Sequence, residues 1–310
     1  MYKITSAYAH QDKIKVEWNL GKRCNYDCSY CPSQIHDLSS PHTDIEILKR
    51  AVDRLPKNSR ISFTGGEPCV HPKFEELVQY CVDSDIQWIN VTTNGTRKAE
   101  YYNNLPVSHY VFSLHFEFDW ENVLENILLF AGSPSEEHLR KPFMINVMAH
   151  PDKMEEVRKA VFAFDRWSVP YAIRRIRWTE GDHNLFDDMR YDQNDLDWIL
   201  SRTATVNPNT IIDDIEQLHA NDIIKLHKNK FKGWTCTAGL ESLMINWDGE
   251  VHRATCRVGG SLGNIYNGTF ELPTEPIICT RDSCTCASDI PLTKIDIREI
   301  KTAQLNLFQP

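Results

Sequence analysis

Arg23-Cys24-Asn25-Tyr26-Asp27-Cys28-Ser29-Tyr30-Cys31-Pro32 holds three cysteines separated by three and two residues. That spacing gathers three thiolates around one small volume, and thiolates are the usual protein ligands of iron–sulfur clusters. A cubane cluster has four irons, so three cysteines leave one iron open to a non-protein ligand. Structural zinc normally takes four N/S ligands, and neither His36 nor any other neighbour completes such a set with this loop. A disulfide framework fits poorly as well. The 310-residue chain opens without a signal peptide, and its 41% apolar residues can build a core without covalent staples.

Downstream, the apolar run Ile61-Ser62-Phe63 leads into Thr64-Gly65-Gly66-Glu67-Pro68. Two glycines let a backbone turn sharply and approach a ligand closely. Alone, Gly-Gly-Glu-Pro would read as a turn. One β/α unit beyond the cysteine triplet, at the end of an expected strand, it becomes specific. Together the CxxxCxxC and GGEP patterns resemble the signature of the radical S-adenosylmethionine (SAM) enzymes. The resemblance implies a [4Fe–4S] cluster on Cys24, Cys28 and Cys31 whose open iron chelates the amino and carboxylate groups of SAM. Tyr30 matches the aromatic residue the family often carries before the last cysteine. Gly65, Gly66, Glu67 and Pro68 match the segment that receives the SAM amino group, and the Glu67 carboxylate suits a cationic neighbour.

Strand-like runs recur at Lys13–Leu20, Arg60–Phe63, Gln87–Thr93, Tyr110–Leu114, Phe143–Met148 and Tyr171–Trp178, with helix-period segments between them. Thr43-Asp44-Ile45-Glu46 reads as a capping box, with Ile45, Leu48, Val52 and Leu55 on one helical face behind it. Pro72 and Pro151 stand where helices should begin. The alternation predicts an α/β fold with a parallel sheet. The family resemblance sharpens this to a partial (β/α)6 TIM barrel. The expected domains are this core over 1–205, a helical connector over 206–232 and an auxiliary-cluster domain over 233–310.

Ligands of such barrels meet at the carboxyl ends of the strands. That rule nominates Asn94 on the third strand, Ser113 and His115 on the fourth, Asn146 and Met148 on the fifth, and Arg174, Arg175 and Arg177 along the sixth. The resemblance favours Asn94, Ser113 and Asn146 as SAM contacts, although Asn94-Gly95 also reads as a plain turn. His115, Arg175 and Arg177 are candidate substrate contacts. His115 also has a reading as a hydrogen-bonded structural histidine. Alternation along a strand puts Arg175 and Arg177 on one side and Arg174 on the other.

In the C-terminal third, Cys236 precedes a hairpin whose turn is Trp247-Asp248-Gly249, and Cys256, Cys279, Cys284 and Cys286 follow. The order resembles the twitch module, a shorter relative of SPASM that carries an additional [4Fe–4S] cluster. The resemblance implies Cys236 and Cys256 as ligands, with two more from Cys279, Cys284 and Cys286. The fifth thiol is either a bystander or a hydrogen-atom donor. A four-cysteine zinc hairpin is the alternative for the same residues. Cys81 lies in an expected helix as a buried apolar residue, and Cys69 is read as packing beside the GGEP segment.

Thirty-four basic against forty-three acidic residues give a formal charge of −9, which argues against a broad nucleic-acid surface. No apolar run approaches the length of a membrane span. Ten cysteines without a secretory signal fit a reducing, cytoplasmic setting. The 23 residues before Cys24 leave no room there for a winged-helix leader-binding domain. The resemblance implies reductive cleavage of SAM to a 5′-deoxyadenosyl radical, hydrogen abstraction from a small-molecule substrate, and an external reductant such as flavodoxin or ferredoxin. Oxidation or rearrangement of that substrate is the expected outcome. The alternatives are a redox-neutral epimerase, a peptide- or protein-modifying enzyme, a two-cluster electron carrier and a zinc-stabilised binding protein.

Overall fold

The computed structural model describes residues 3–4, 13–132, 141–180, 184–187, 190–203, 220–225, 227–286 and 288–296. The chain divides into two compact units, residues 18–203 and residues 1–17 with 204–310, the division falling inside the first long strand.

The larger unit is built on six strands: β1 (Ile14–Asn19), β2 (Ser59–Thr64), β3 (Trp88–Thr93), β4 (His109–His115), β5 (Phe143–Ala149) and β6 (Tyr171–Arg175). They lie side by side in chain order as the parallel sheet of a partial (β/α)6 barrel. Helices α1 (Ile45–Asp53), α2 (Phe74–Asp83), α3 (Ala99–Asn104), α4 (Trp120–Gly132) and α5 (Met154–Trp167) make the crossovers, and α6 (Gln193–Thr203) follows β6.

Every second strand residue is buried. Ile61, Phe63, Tyr110, Phe112, Leu114, Ile145 and Val147 are all 0% exposed. Each such side chain contributes roughly 1.5–3 kcal/mol by burial, so this face anchors the sheet. A parallel sheet covered on both faces would read as continuous apolar runs. Here the alternate positions Arg60, Ser62, Asn90, His109, Ser113 and Asn146 are polar and only part-buried. That second face is the open concave side of the partial barrel.

The helix starts differ slightly from the expected signals. Asp44, not Thr43, caps α1, its carboxylate accepting from the Glu46 amide at 2.9 Å. Pro68 and Pro151 each open a short 3-10 turn, and α2 and α5 begin only at Phe74 and Met154. Cys81 is fully buried inside α2.

The sixth strand is shorter than expected. Tyr191 accepts a hydrogen bond from the Ile176 amide at 2.9 Å and donates to the Ala149 carbonyl, so a side chain replaces the ladder there. The next stretch, Arg177–Glu180, pairs instead with Asn184–Asp187 as an antiparallel hairpin. Arg175 and Arg177 therefore do not share a strand.

In the smaller unit, Ser242–Ile245 and Glu250–His252 form the expected hairpin, with Met244 opposite His252 and Ile245 opposite Val251. Gly249, at φ 84°, takes the left-handed turn position. Ser261–Asn264, absent from the expected strands, adds a third strand. A second, antiparallel sheet runs in the order Lys3–Ile4, Lys294–Ile295, Thr235–Cys236, Ile277–Ile278. Of the expected connector over 206–232, residues 206–219 lie outside the described residues, and Ala220–Lys225 is helical. Among the described residues, no helix is long and apolar enough to cross a membrane.

Candidate active site

The chain leaving β1 pairs back onto the end of β2, and this pairing sets the position of the cysteine loop. Gly66 donates to the Gly21 carbonyl at 2.7 Å and Glu67 donates to the Arg23 carbonyl at 2.9 Å. A Cβ on Gly66 would stand 2.3 Å from the Arg23 carbonyl oxygen and 2.4 Å from that of Lys22. The two backbones approach this closely only because position 66 has no side chain. From the other side, Asp37 donates its amide to the Lys22 carbonyl and Cys24 donates to the Asp37 carbonyl, both at 2.9 Å. The loop is thus gripped at both ends by backbone hydrogen bonds.

Its middle is held by the strand ends that the barrel rule nominated. Asn94, just past β3, donates from Nδ2 to Asn25 Oδ1 at 2.8 Å and lies 4.0 Å from Cys24 Sγ. Glu117, just past β4, accepts from the Ser29 amide at 3.0 Å. Tyr26 stacks on Phe118 with ring centroids 3.9 Å apart. His115 Nδ1 lies 2.5 Å from Tyr30 Oη and 3.5 Å from Cys28 Sγ. Burial lowers the His115 pKa to about 4, so the ring is neutral at pH 7 and its Nδ1 can accept the Tyr30 proton.

The three thiols are raised by burial, Cys28 to about 12 and Cys31 to about 11, and for these two the charges of neighbouring cysteines add to the rise. Cys24 is raised in the same direction, first by burial. Burial and mutual repulsion hold these groups as thiols, so only a bound cation, such as the irons of a cluster, would stabilise them together as thiolates. Among the described residues, no three His, Cys, Asp or Glu side chains converge as the ligands of one metal ion would. A four-iron cluster makes a looser demand, because each thiolate takes a different iron. Three cysteine donors in one loop fit three of the four irons of such a cluster.

Glu67 differs from its expected role. At 3% exposure, its carboxylate accepts from the Cys69 amide (2.9 Å), the Thr93 hydroxyl (2.8 Å) and the Asn94 amide (2.6 Å). Burial raises its pKa, while these three donors oppose the rise. The side chain ties the end of β2 to the end of β3 and through Asn94 to the loop; it is not open to a ligand's amino group. Glu67→Gln sets an amide N–H against one of these donors. It is expected to cost about 1.5–3 kcal/mol, read as a lower denaturant midpoint with an unchanged slope.

On the concave face, Ser113 stands in register with Asn146, and Met148 with Arg174. Parallel neighbours in register share a face, so Ser113, His115, Asn146, Met148 and Arg174 point to the same side. Arg174 Nε donates to Asn146 Oδ1 at 2.9 Å. Arg175 aligns with buried Ala149 on the opposite parity, and the Arg177 side chain lies outside the described residues. Arg174 is thus the arginine that joins the nominated polar group. His150 and Glu117 were missed by the sequence reading, although both follow strand ends and the carboxyl-end rule could have found them. His150 Nε2 lies 3.5 Å from Glu117 Oε1, and its ring stands beside Tyr30 with centroids 5.9 Å apart.

The five C-terminal cysteines divide in the smaller unit. Cys236 and Cys256 share one apolar cluster with Ala238, Ala254 and Leu292. Cys279 and Cys284 belong to a second cluster with Phe231 and Trp234. Around the second cluster, Cys279 donates to the Trp234 carbonyl and Cys284 to the Asn229 carbonyl, both at 2.8 Å. Cys279 acts electrostatically on Cys236, Cys236 and Cys279 act on Cys256, and both Cys256 and Cys286 act on Cys284. Cys286 Sγ lies 2.9 Å from the Ser288 hydroxyl, which reaches Glu17 at 3.2 Å.

Residues 18–119 match the family model of the Radical SAM superfamily. The S-adenosylmethionine-dependent nucleotide dehydratase of Selenomonas ruminantium is 31% identical over 87 residues, covering 26% of this chain and 30% of that protein. The antilisterial bacteriocin subtilosin biosynthesis protein AlbA of Bacillus subtilis is 24% identical over 270 residues, covering 83% of this chain and 58% of AlbA. The chain thus spans less than two thirds of the length of either relative. Among solved structures, native anSMEcpe with bound AdoMet superposes with a TM-score of 0.51 at 18% identity, covering 83% of this chain and 79% of that one. At that identity the likeness establishes the fold.

Proposed function

We propose that this chain is a radical SAM enzyme that oxidises or rearranges a small-molecule substrate. The observation that carries the reading is the backbone grip of Gly66 and Glu67 on residues 21–23, which presents three cysteines of one loop beside the polar strand ends. Cys24, Cys28 and Cys31 would hold a [4Fe–4S] cluster, which would supply the one-electron chemistry for reductive cleavage of SAM.

The chain's own residues orient and shield. Asn94 and Glu117 hold the loop through Asn25 and Ser29, and neutral His115 holds the Tyr30 hydroxyl. The Tyr26–Phe118 stack covers one side of the loop and keeps water from it. Ser113, Asn146 and Arg174 offer donors on one face, where the cation suits a carboxylate of SAM or of the substrate. Arg174→Met is expected to weaken binding of a carboxylate ligand by roughly ten- to a hundredfold, the value of a charged hydrogen bond, while cluster iron stays constant. Equilibrium binding of SAM beside iron analysis checks it.

In the smaller unit we assign Cys236, Cys256, Cys279 and Cys284 to a second [4Fe–4S] cluster and leave Cys286 outside it. The support is the packing of these four in the two apolar clusters, which do not include Cys286, and the engagement of Cys286 with Ser288. Changing Cys236 and Cys256 together to alanine is expected to lower iron to about four per chain while SAM still binds. Cys286→Ala is expected to keep the cluster's absorption. Zinc in the wild-type module would refute the assignment.

A peptide substrate is the second reading, favoured by the match to a bacteriocin biosynthesis protein over 83% of the chain. Anaerobic reconstitution with SAM and a reductant such as reduced flavodoxin or ferredoxin tests the proposal. Deuterium transfer from labelled candidate substrates into 5′-deoxyadenosine identifies the class, and loss of two hydrogens in the product separates oxidation from epimerisation. No SAM cleavage with a fully loaded cluster would overturn the reading.

A further inference from the structure

Lys294 is a lysine at only 2% exposure. Its Nζ donates to the carbonyls of Asp289 (2.6 Å), Ile290 (2.9 Å) and Leu292 (3.2 Å), which satisfies its three hydrogens. Its charge is a different matter. Carbonyl dipoles solvate an ammonium but do not neutralise it, and a buried ion without a counter-charge costs several kcal/mol. Among the described residues, no carboxylate forms an ion pair with Lys294. The buried carboxylate of the same turn, Asp289, is directed instead to the Cys256 amide at 3.2 Å.

Lys294 acts electrostatically on the buried Asp289 carboxylate without an ion pair, and it also faces sulfur. It stands directly opposite Cys236 in the antiparallel pair of Thr235–Cys236 with Lys294–Ile295, so both side chains leave the same side of that sheet. Its ammonium lies 5.2 Å from the centre of the Phe231 ring, and Phe231 packs in one cluster with Cys279 and Cys284. The cation thus sits between Cys236 and the second pair of cysteines. It pulls the Cys236 and Cys284 thiols down against the burial that raises them.

We infer that Lys294 supplies the counter-charge of the thiolate-ligated group held by Cys236, Cys256, Cys279 and Cys284, and thereby sets that group's reduction potential. The inference rests on the auxiliary-cluster assignment above. Four thiolates around a four-iron core leave net negative charge, and reduction adds one more electron to a buried site. A fixed cation on the same side of the sheet favours the reduced form, and net charge is among the levers that set cluster potentials. A hydrophobic residue at 294 would fill the space but leave the negative charge uncompensated.

The test is a potentiometric titration, followed by electron paramagnetic resonance, of the full chain reconstituted anaerobically. The Cys24/Cys28/Cys31→Ala background leaves only the second cluster to report. Lys294→Gln keeps a donor for the carbonyls but removes the charge, and Lys294→Arg keeps the charge. Lys294→Gln is expected to shift the reduction equilibrium at least tenfold toward the oxidised cluster, a potential lower by about 59 mV for one electron. Lys294→Arg is expected to stay near the wild-type value. Loss of the cluster from Lys294→Gln with retention in Lys294→Arg would carry the same meaning, since charge alone then decides occupancy. An unmoved potential in Lys294→Gln, or equal loss in both variants, overturns the inference while leaving the cluster assignment standing. Absence of a second cluster from the parent protein overturns both.

Discussion

Replacing Cys24, Cys28 and Cys31 together by alanine is expected to reduce 5′-deoxyadenosine formation to the uncatalysed background and to remove one cluster's iron, about four atoms per chain. The effect is all-or-none because the three thiols lie within one loop and no other cysteine in the larger unit can replace them. Cys69 is 1% exposed and its amide donates to Glu67, and Cys81 is 0% exposed inside α2. The fold should survive. The loop is held through backbone amides and through Asn25, Tyr26 and Ser29, none of which the substitution touches. Far-ultraviolet circular dichroism should therefore stay unchanged while iron falls. Persistent 5′-deoxyadenosine formation would remove this loop from the chemistry.

The second large effect is expected from Gly66→Ala, a change of one methyl group. The new Cβ would meet two backbone carbonyl oxygens at 2.3 and 2.4 Å, and neither can move as a flexible side chain would. Relief requires the end of β2 to separate from residues 21–23, which breaks the Gly66–Gly21 and Glu67–Arg23 hydrogen bonds. Overpacking of this kind costs about 3 kcal/mol or more, and here the strain falls on the segment that positions Cys24. Lower thermal stability and sub-stoichiometric cluster loading are expected together. A variant with wild-type stability and full iron would show that the close approach is dispensable. Gly21→Ala is the matched control, since a Cβ there meets nothing within 4 Å.

These two outcomes separate the parts of the site. The triple cysteine variant removes ligands and keeps the scaffold, whereas Gly66→Ala keeps every ligand and displaces the loop. If both lose SAM cleavage but only the second loses stability, the GGEP segment acts on the cluster through backbone placement.

Much of the larger unit was legible in the chain because its signals are local. The alternation in Ser59–Thr64 and in His109–His115, buried and part-buried in turn, is a period-2 pattern that a strand with one covered face must show. The cysteine triplet and the double glycine carry their chemistry in spacing alone, and the fold class followed from repeated β/α units. Register and long-range side-chain pairing are different, since they depend on which strands become neighbours. Only the assembled sheet put Arg174 rather than Arg175 on the face of Asn146, because its register sets Arg174 against Met148 and Arg175 against Ala149. Only the tertiary arrangement turned Glu67 inward onto Thr93 and Asn94, and set Lys294 opposite Cys236 across 58 positions of chain. Local periodicity and spacing decide which elements form, whereas the charge balance and hydrogen-bond partners of a buried group are decided by residues distant in sequence.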